Sequence, residues 1–358
     1  MENLTESILA SLLKESVKTV NGNFENLLEK EINIPSGIRS KASDSQKHLR
    51  EFLEGQHIRD DSFPRVLSIN DNEFLGGSFA RHTKDKPLDD IDIYFPIDGH
   101  NLIYLQGGFR LPFTVVSDNV LSKNPLLTAR WMEGSYISSQ KLVNGFSSVL
   151  KSHYPKTSIK PNGQAISIQM TQGETVEHDG LGFDVVPCFR LNPDDKSSVP
   201  FYLIPDGVNG WIRTNPRLDT DMAERLNANN NKTYRKVVKL LKYWNREKIG
   251  KSISSYFIEL AIAKAYQEKN LKSEKISRIS EGVALGFWAV DNAVKEGSQT
   301  SLVPGSPSVR PGDITEIQKN KLSNATVTAS QAWKAELEGK EDIAISKWEE
   351  ILGKKFSE

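Results

Sequence analysis

The segment Asp90-Ile91-Asp92-Ile93-Tyr94-Phe95 constrains this chain more than any other. Apolar residues recur at every second position, the period of a β-strand. Ile91, Ile93 and Phe95 therefore share one face, and Asp90 and Asp92 project together from the other. Asp89 offers a second register, but the alternation of Ile91 and Ile93 favours pairing Asp90 with Asp92. Adjacent carboxylates repel one another at neutral pH unless a cation lies between them. For ligands made of oxygen alone, Mg²⁺ is the natural choice.

Two further pieces give the pair a context. Upstream, Gly76-Gly77-Ser78 supplies a turn in which glycine permits close backbone approach, and the amides and the Ser78 hydroxyl can donate to a phosphate. Downstream, Asp184 lies between Phe183 and Val185 in the apolar run Gly182–Phe189. An acidic residue inside such a strand needs a partner, because burying a bare charge is costly. Three carboxylates beside a phosphate-holding turn suit two-metal phosphoryl transfer. Each piece alone has a plainer explanation. Asp90 and Asp92 could be solvated strand positions, Asp184 an ion-pair partner, and Gly77-Ser78 an ordinary turn. The dinucleotide fingerprint is missing, since Gly180-Leu181-Gly182 lacks its third glycine, and no GxxxxGK[ST] loop occurs.

The rest of the chain reads as α+β. A helix over Ile8, Leu9, Leu12, Leu13 and Val17 is followed by a break at Pro35-Ser36-Gly37 and a second helix through Ala42, Leu49, Phe52 and Leu53. Strand texture begins near Arg65. A short helix covers Leu142–Leu150, and Pro161-Asn162-Gly163 forms a hairpin turn before the strand Ala165–Met170. Val199–Ile204 is a further strand, placed at an edge or a strand start by Pro200. From about Asp219 the pattern is helical, with a stripe of Tyr234, Val237, Val238, Leu241 and Trp244 and a nearly all-apolar helix over Ser255–Tyr266. Helices at Gly282–Val294, around Trp333 and around Trp348 complete that half, and 300–312 is a surface loop. The expected division is 1–60 for N-terminal helices, 61–210 for a strand-rich core with a mixed or antiparallel sheet, and 211–358 for a helical lobe.

Lys plus Arg and Asp plus Glu both number 46, so the net charge of zero argues against wholesale coating of nucleic acid or membrane. The one cysteine, Cys188, excludes an intrachain disulfide, and with only scattered histidines a zinc module is excluded too. Without a basic partner nearby, Cys188 reads as a small buried residue. No run of 18 apolar residues occurs, and MENLTESILASLL lacks the basic start of a signal peptide. A reducing cytoplasm is the expected compartment, and a monomer the expected state.

The ordered pieces GGSFARHT, LDDIDIYF, GFDVVPCF, YLIPDG, GWIRTNP, LLKYWN and SSYFIEL run over most of residues 65–265. Together with the Trp333 helix and the WEEILGKKF ending, they resemble the polymerase-β-like nucleotidyltransferases. The fuller match is to the CD-NTases, the bacterial relatives of cyclic GMP-AMP synthase and oligoadenylate synthase. That resemblance implies a bilobed fold with the active site in the cleft between lobes. Asp90, Asp92 and Asp184 would bind two Mg²⁺ ions, for which Mn²⁺ can substitute, and Asp184 would assist deprotonation of the acceptor hydroxyl. Gly77, Ser78, Lys242, Ser255 and Tyr256 would bind ATP, GTP or other nucleoside triphosphates, with Lys242 and Ser255 on phosphates and Tyr256 stacked on a base. From the residues alone, Lys242 belongs to a basic stripe with Arg235, Lys239 and Arg246 that could be a solvated helix face. Likewise Ser255 could be a helix N-cap and Tyr256 a core aromatic. The resemblance implies a cyclic di- or trinucleotide product, pyrophosphate release, a bacterial source, anti-phage (CBASS-type) signalling, and operon-encoded regulators and an effector. The absence of the animal sensor's zinc insertion speaks against sensing of DNA. The alternatives are a linear RNA-end nucleotidyltransferase and a catalytically silent nucleotide-binding regulator.

Overall fold

The fold was analysed in a computed structural model that describes residues 19–67, 74–88, 90–99, 102–106, 113–117, 124–170, 181–191, 201–301 and 308–358. The helix expected over Ile8–Val17, and Val199 and Pro200 of the expected strand, lie outside the described residues. The chain forms two compact units, one of residues 34–222 with 301–307, the other of residues 1–33, 223–300 and 308–358. This differs from the division at 60 and 210. The helix Ser36–Glu54 groups with the sheet, because Ala42, Leu49 and Leu53 join the apolar cluster that the sheet buries. Val20–Leu27 groups with the C-terminal helices, where Phe24 meets Trp348 edge-on with ring centres 5.1 Å apart.

The first unit is built on a mixed sheet. Its strands are β1 (Phe74–Leu75), β2 (Ile91–Pro96), β3 (Ser158–Asn162), β4 (Ala165–Met170), β5 (Leu181–Leu191), β6 (Phe201–Pro205) and β7 (Trp211–Thr214). The order β1-β2-β5-β6-β7 is hydrogen-bonded, and the β3–β4 hairpin joins through β4 to β5. β2 and β5 run parallel and the other pairs antiparallel. The β3–β4 turn is set by Asn162 facing Ala165, with Gly163 in the left-handed region at φ +57°.

Alternation sorts the sheet's two faces. Ile91, Ile93, Phe95, Ile166, Ile168, Phe183 and Val185 are buried with Leu142, Phe146 and Leu150 of the Ser139–His153 helix. Each large apolar side chain so covered contributes about 1.5–3 kcal/mol. The other face carries a smaller cluster of Tyr94, Ala165, Val186, Cys188, Tyr202 and Ile204. Cys188 is buried there as expected. Asp92, Asp184 and Ser167 occupy this second face by the same period of two.

The second unit is helical. Tyr234, Val237, Val238, Leu241 and Trp244 of the Thr233–Ile249 helix are all buried, so the apolar stripe is its packed side. The Ser255–Leu271 helix buries nine of its residues, which include Phe257, Leu260, Ile262 and Tyr266. The Ile279–Glu296 helix packs closely on these: a Cβ on Gly282 would stand 2.4 Å from Tyr266 Oη and 2.6 Å from Val237 Cγ2. Among the described residues, no helix is long and apolar enough to cross a membrane.

Candidate active site

The candidate site is assembled by three stretches of the sheet unit. β1 delivers the chain to Gly76, whose N–H donates to the Asp92 carbonyl at 2.9 Å. Gly77 then turns with φ +59°, a conformation that L side chains rarely adopt. A Cβ on Gly77 would stand 1.6 Å from Asp92 Oδ2, and one on Gly76 would stand 2.0 Å from the Tyr94 ring. Both glycines are therefore required by contact with β2. A single turn of helix, Gly77–Ala80, follows. The Ser78 carbonyl accepts from the N–H groups of Thr83 at 2.9 Å and Lys84 at 3.0 Å, which folds the loop back toward β2.

β2 and β5 place their acids side by side. The parallel register pairs Asp92 with Asp184, and Ser167 of β4 faces Asp184 from the other side. The Ser167 hydroxyl donates to Asp184 Oδ1 at 2.5 Å, which fixes that carboxylate. Asp90 precedes β2, is exposed, and is held by the Lys84 ammonium. Burial first, then the negative charges of Asp184 and Asp90, push the Asp92 carboxyl up from 3.8 to about 7; Arg81 and Lys84 pull the other way. Burial and the Asp92 charge likewise raise the neighbouring Tyr94.

Asp90, Asp92 and Asp184 thus act on one another electrostatically, with Asp92 and Asp184 in direct cross-strand register. Among the described residues, no three His, Cys, Asp or Glu side chains stand ready-assembled around an ion. The chemistry of the set nonetheless fits a hard divalent cation. The donors are oxygens only, burial and then their mutual repulsion raise Asp92, and Gly77 brings no side chain against Asp92 Oδ2.

Three expected nucleotide-binding residues belong to the helical unit. Lys242 is 4% exposed, and its ammonium donates to Glu259 Oε1 at 2.5 Å, with Glu259 equally buried. Lys239, 8% exposed, donates to Asn33 Oδ1 at 2.8 Å. The basic stripe is therefore not a solvated face at these two positions, and Lys242 is committed to an ion pair inside the unit instead of standing open to a phosphate. Ser255 is the first residue of its helix and is exposed, while the N-cap position falls to Ser254. Tyr256 is half-buried, which is not the environment of a core aromatic.

Several residues of the site escape a sequence argument. Ser167 left a weak signal, a hydroxyl at the one position of Ile166-Ser167-Ile168 that shares a face with Asp184. In the helical unit, Glu259 left a stronger one, the one acid of the nearly all-apolar run Ser255–Tyr266. Lys84 and Arg81 left none, because they lie in an irregular loop whose path depends on the Ser78 carbonyl.

No protein-family model matches the chain. A "Probable cyclic nucleotide synthase" of Bacillus cereus (strain VD146) is 25% identical over 356 residues, covering 95% of this chain and 98% of that protein. A "Cyclic AMP-AMP-AMP synthase" of Acinetobacter sp. (strain ATCC 27244 / 9458) is 28% identical over 185 residues, covering 47% of this chain and 52% of that protein. Among solved structures, the Bradyrhizobium diazoefficiens CD-NTase CdnG in complex with GTP matches with a TM-score of 0.61 at 13% identity, covering 95% of this chain and 97% of that one. The Vibrio cholerae DncV cyclic AMP-GMP synthase, bound to the linear intermediate 5′ pppA(3′,5′)pG, matches with a TM-score of 0.60 at 14% identity, covering 94% and 97%. The likeness to these two structures is one of fold, and it extends over nearly the whole chain.

Proposed function

We propose that this chain, which has the CD-NTase nucleotidyltransferase fold, is a cyclic oligonucleotide synthase that joins nucleoside triphosphates and releases pyrophosphate. The observation that carries the reading is the cross-strand pair of Asp92 and Asp184 beneath the Gly76-Gly77 turn. Similarity over nearly the full length to the "Probable cyclic nucleotide synthase" of B. cereus supports the same activity.

Within this reading Asp90, Asp92 and Asp184 hold divalent ions, Mg²⁺ with Mn²⁺ as a substitute. Such ions supply charge neutralisation for phosphoryl transfer and lower the pKa of an attacking hydroxyl. The chain's own residues do the rest. Gly77 lets the backbone and Ser78 approach the donor phosphates without a Cβ in the way. Ser167 orients Asp184, the carboxylate we assign to receive the proton of the acceptor ribose hydroxyl. Tyr94 forms an apolar floor that limits water beside Asp92. Ser255 and Tyr256 are accessible enough for the phosphate and base contacts that the resemblance implies; Lys242 is left out of this set because Glu259 holds it.

A cyclic di- or trinucleotide is the proposed product. A monomer acting in anti-phage signalling in the bacterial cytoplasm, with operon-encoded regulators and an effector, is the setting proposed on the resemblance alone. The test is incubation with the four labelled triphosphates and Mg²⁺, then phosphatase. The expected product resists phosphatase. A product that loses terminal phosphates to phosphatase identifies a linear polymerase, and no released pyrophosphate identifies a silent binder.

A further inference from the structure

The candidate site contains cations as well as carboxylates. Arg81 and Lys84 are each only 7% exposed. Lysine is rarely buried to this degree unless its charge is answered. Here the Lys84 ammonium contacts Asp90 Oδ1, and the Asp90 side chain is 55% exposed. An ion pair with both ends in solvent would carry little meaning. This pair is asymmetric: the cation is anchored inside the fold, and the accessible partner is the proposed ion ligand.

The anchoring is specific. The Lys84 N–H donates to the Ser78 carbonyl at 3.0 Å, so the turn that presses Gly77 onto Asp92 also delivers Lys84 to Asp90. Lys84 also acts on Asp92, where its charge opposes that of Asp90 and Asp184. Three carboxylates are thus balanced by two internal cations. Arg81 presents a planar guanidinium, whereas Lys84 presents a compact ammonium on a flexible stem that can change partner.

We propose that Lys84 is a resident counter-cation of the site: it holds Asp90 in the nucleotide-free protein and yields it when a divalent ion arrives together with a triphosphate. The proposal rests on the reading that Asp90, Asp92 and Asp184 bind that ion. An ammonium and a divalent cation compete for the same carboxylate, so the protein alone binds the ion weakly. A triphosphate brings negative charge that answers the displaced ammonium, so ion and nucleotide enter together. Lys84 acts through Asp90 and is a positioning residue.

The test is binding of Mn²⁺ alone to the nucleotide-free full chain, measured by calorimetry. Lys84→Met should bind Mn²⁺ about tenfold more tightly than the unaltered protein, Lys84→Arg should restore weak binding, and adding Asp184→Asn to Lys84→Met should remove the gain. Equal Mn²⁺ affinity in Lys84→Met and the unaltered protein, with both dependent on Asp184, overturns the counter-cation and leaves the ion site standing. Mn²⁺ binding that ignores Asp92→Asn and Asp184→Asn in every background overturns both. If Lys84→Met does not fold, the ¹⁵N signal of the Lys84 ammonium in the unaltered protein decides. It should shift when Mg²⁺ and a non-hydrolysable triphosphate are added together, and an unmoved signal overturns the proposal.

Discussion

A methyl group on Gly77 would fall 1.6 Å from Asp92 Oδ2 at a φ of +59°, so no side chain fits there without displacing the carboxylate. Gly77→Ala should therefore lower turnover about a hundredfold through misplacement, with the melting temperature changed far less than the rate. A rate within a few-fold of the unaltered protein would remove Gly77 from the site. Asp92 allows a second prediction at this scale. Its carboxyl is raised from 3.8 to about 7 in the folded protein, so folding favours its protonated form. The stability this contributes is fully present below about pH 4 and is lost as pH rises through 7. Metal-free Asp92→Asn should gain about 1–3 kcal/mol over the unaltered protein at pH 8 and little at pH 4. Urea unfolding at both pH values measures this, and a constant difference would contradict the cause assigned to the shift.

At the scale of elements, the ion pair of Lys242 and Glu259 ties the Thr233–Ile249 helix to the Ser255–Leu271 helix with both side chains 4% exposed. Removing one partner leaves a buried charge, so Lys242→Met should cost about 3–5 kcal/mol, while Lys242→Met with Glu259→Leu should recover most of that. A double-mutant cycle by denaturant unfolding checks it, and additive losses would show that the pair is not coupled. Gly282→Ala should cost about 1–3 kcal/mol by overpacking against Tyr266 and Val237. These elements differ in how far the sequence exposed them. The strand at Ile91–Pro96 and the stripe from Tyr234 to Trp244 were legible because strict alternation and helical spacing each mark an apolar face that the fold buries. Lys242 was not, since a lysine on a basic stripe looks the same whether it faces water or a buried acid on another helix. The pairing of Asp92 with Asp184 needed the parallel register, which links residues 92 apart in the chain and leaves no local trace.

At the scale of the whole molecule, the CD-NTase nucleotidyltransferase fold was legible because short motifs kept their order over most of residues 65–265. The division into units was less so, because Val20–Leu27 and Ser36–Glu54 are consecutive helices that pack into different units. Which bases are joined depends on side chains that no motif marks. On the function proposed above, the paired carboxylates of one sheet face close an oligonucleotide ring. Mass spectrometry of the products made from all four triphosphates and Mg²⁺, by the unaltered protein and by Asp184→Asn, tests it most directly. A cyclic di- or trinucleotide mass without terminal phosphates from the first, and none from a folded Asp184→Asn, is the predicted result. Cyclic product from Asp184→Asn at an undiminished rate, or only linear products from the unaltered protein, would contradict it.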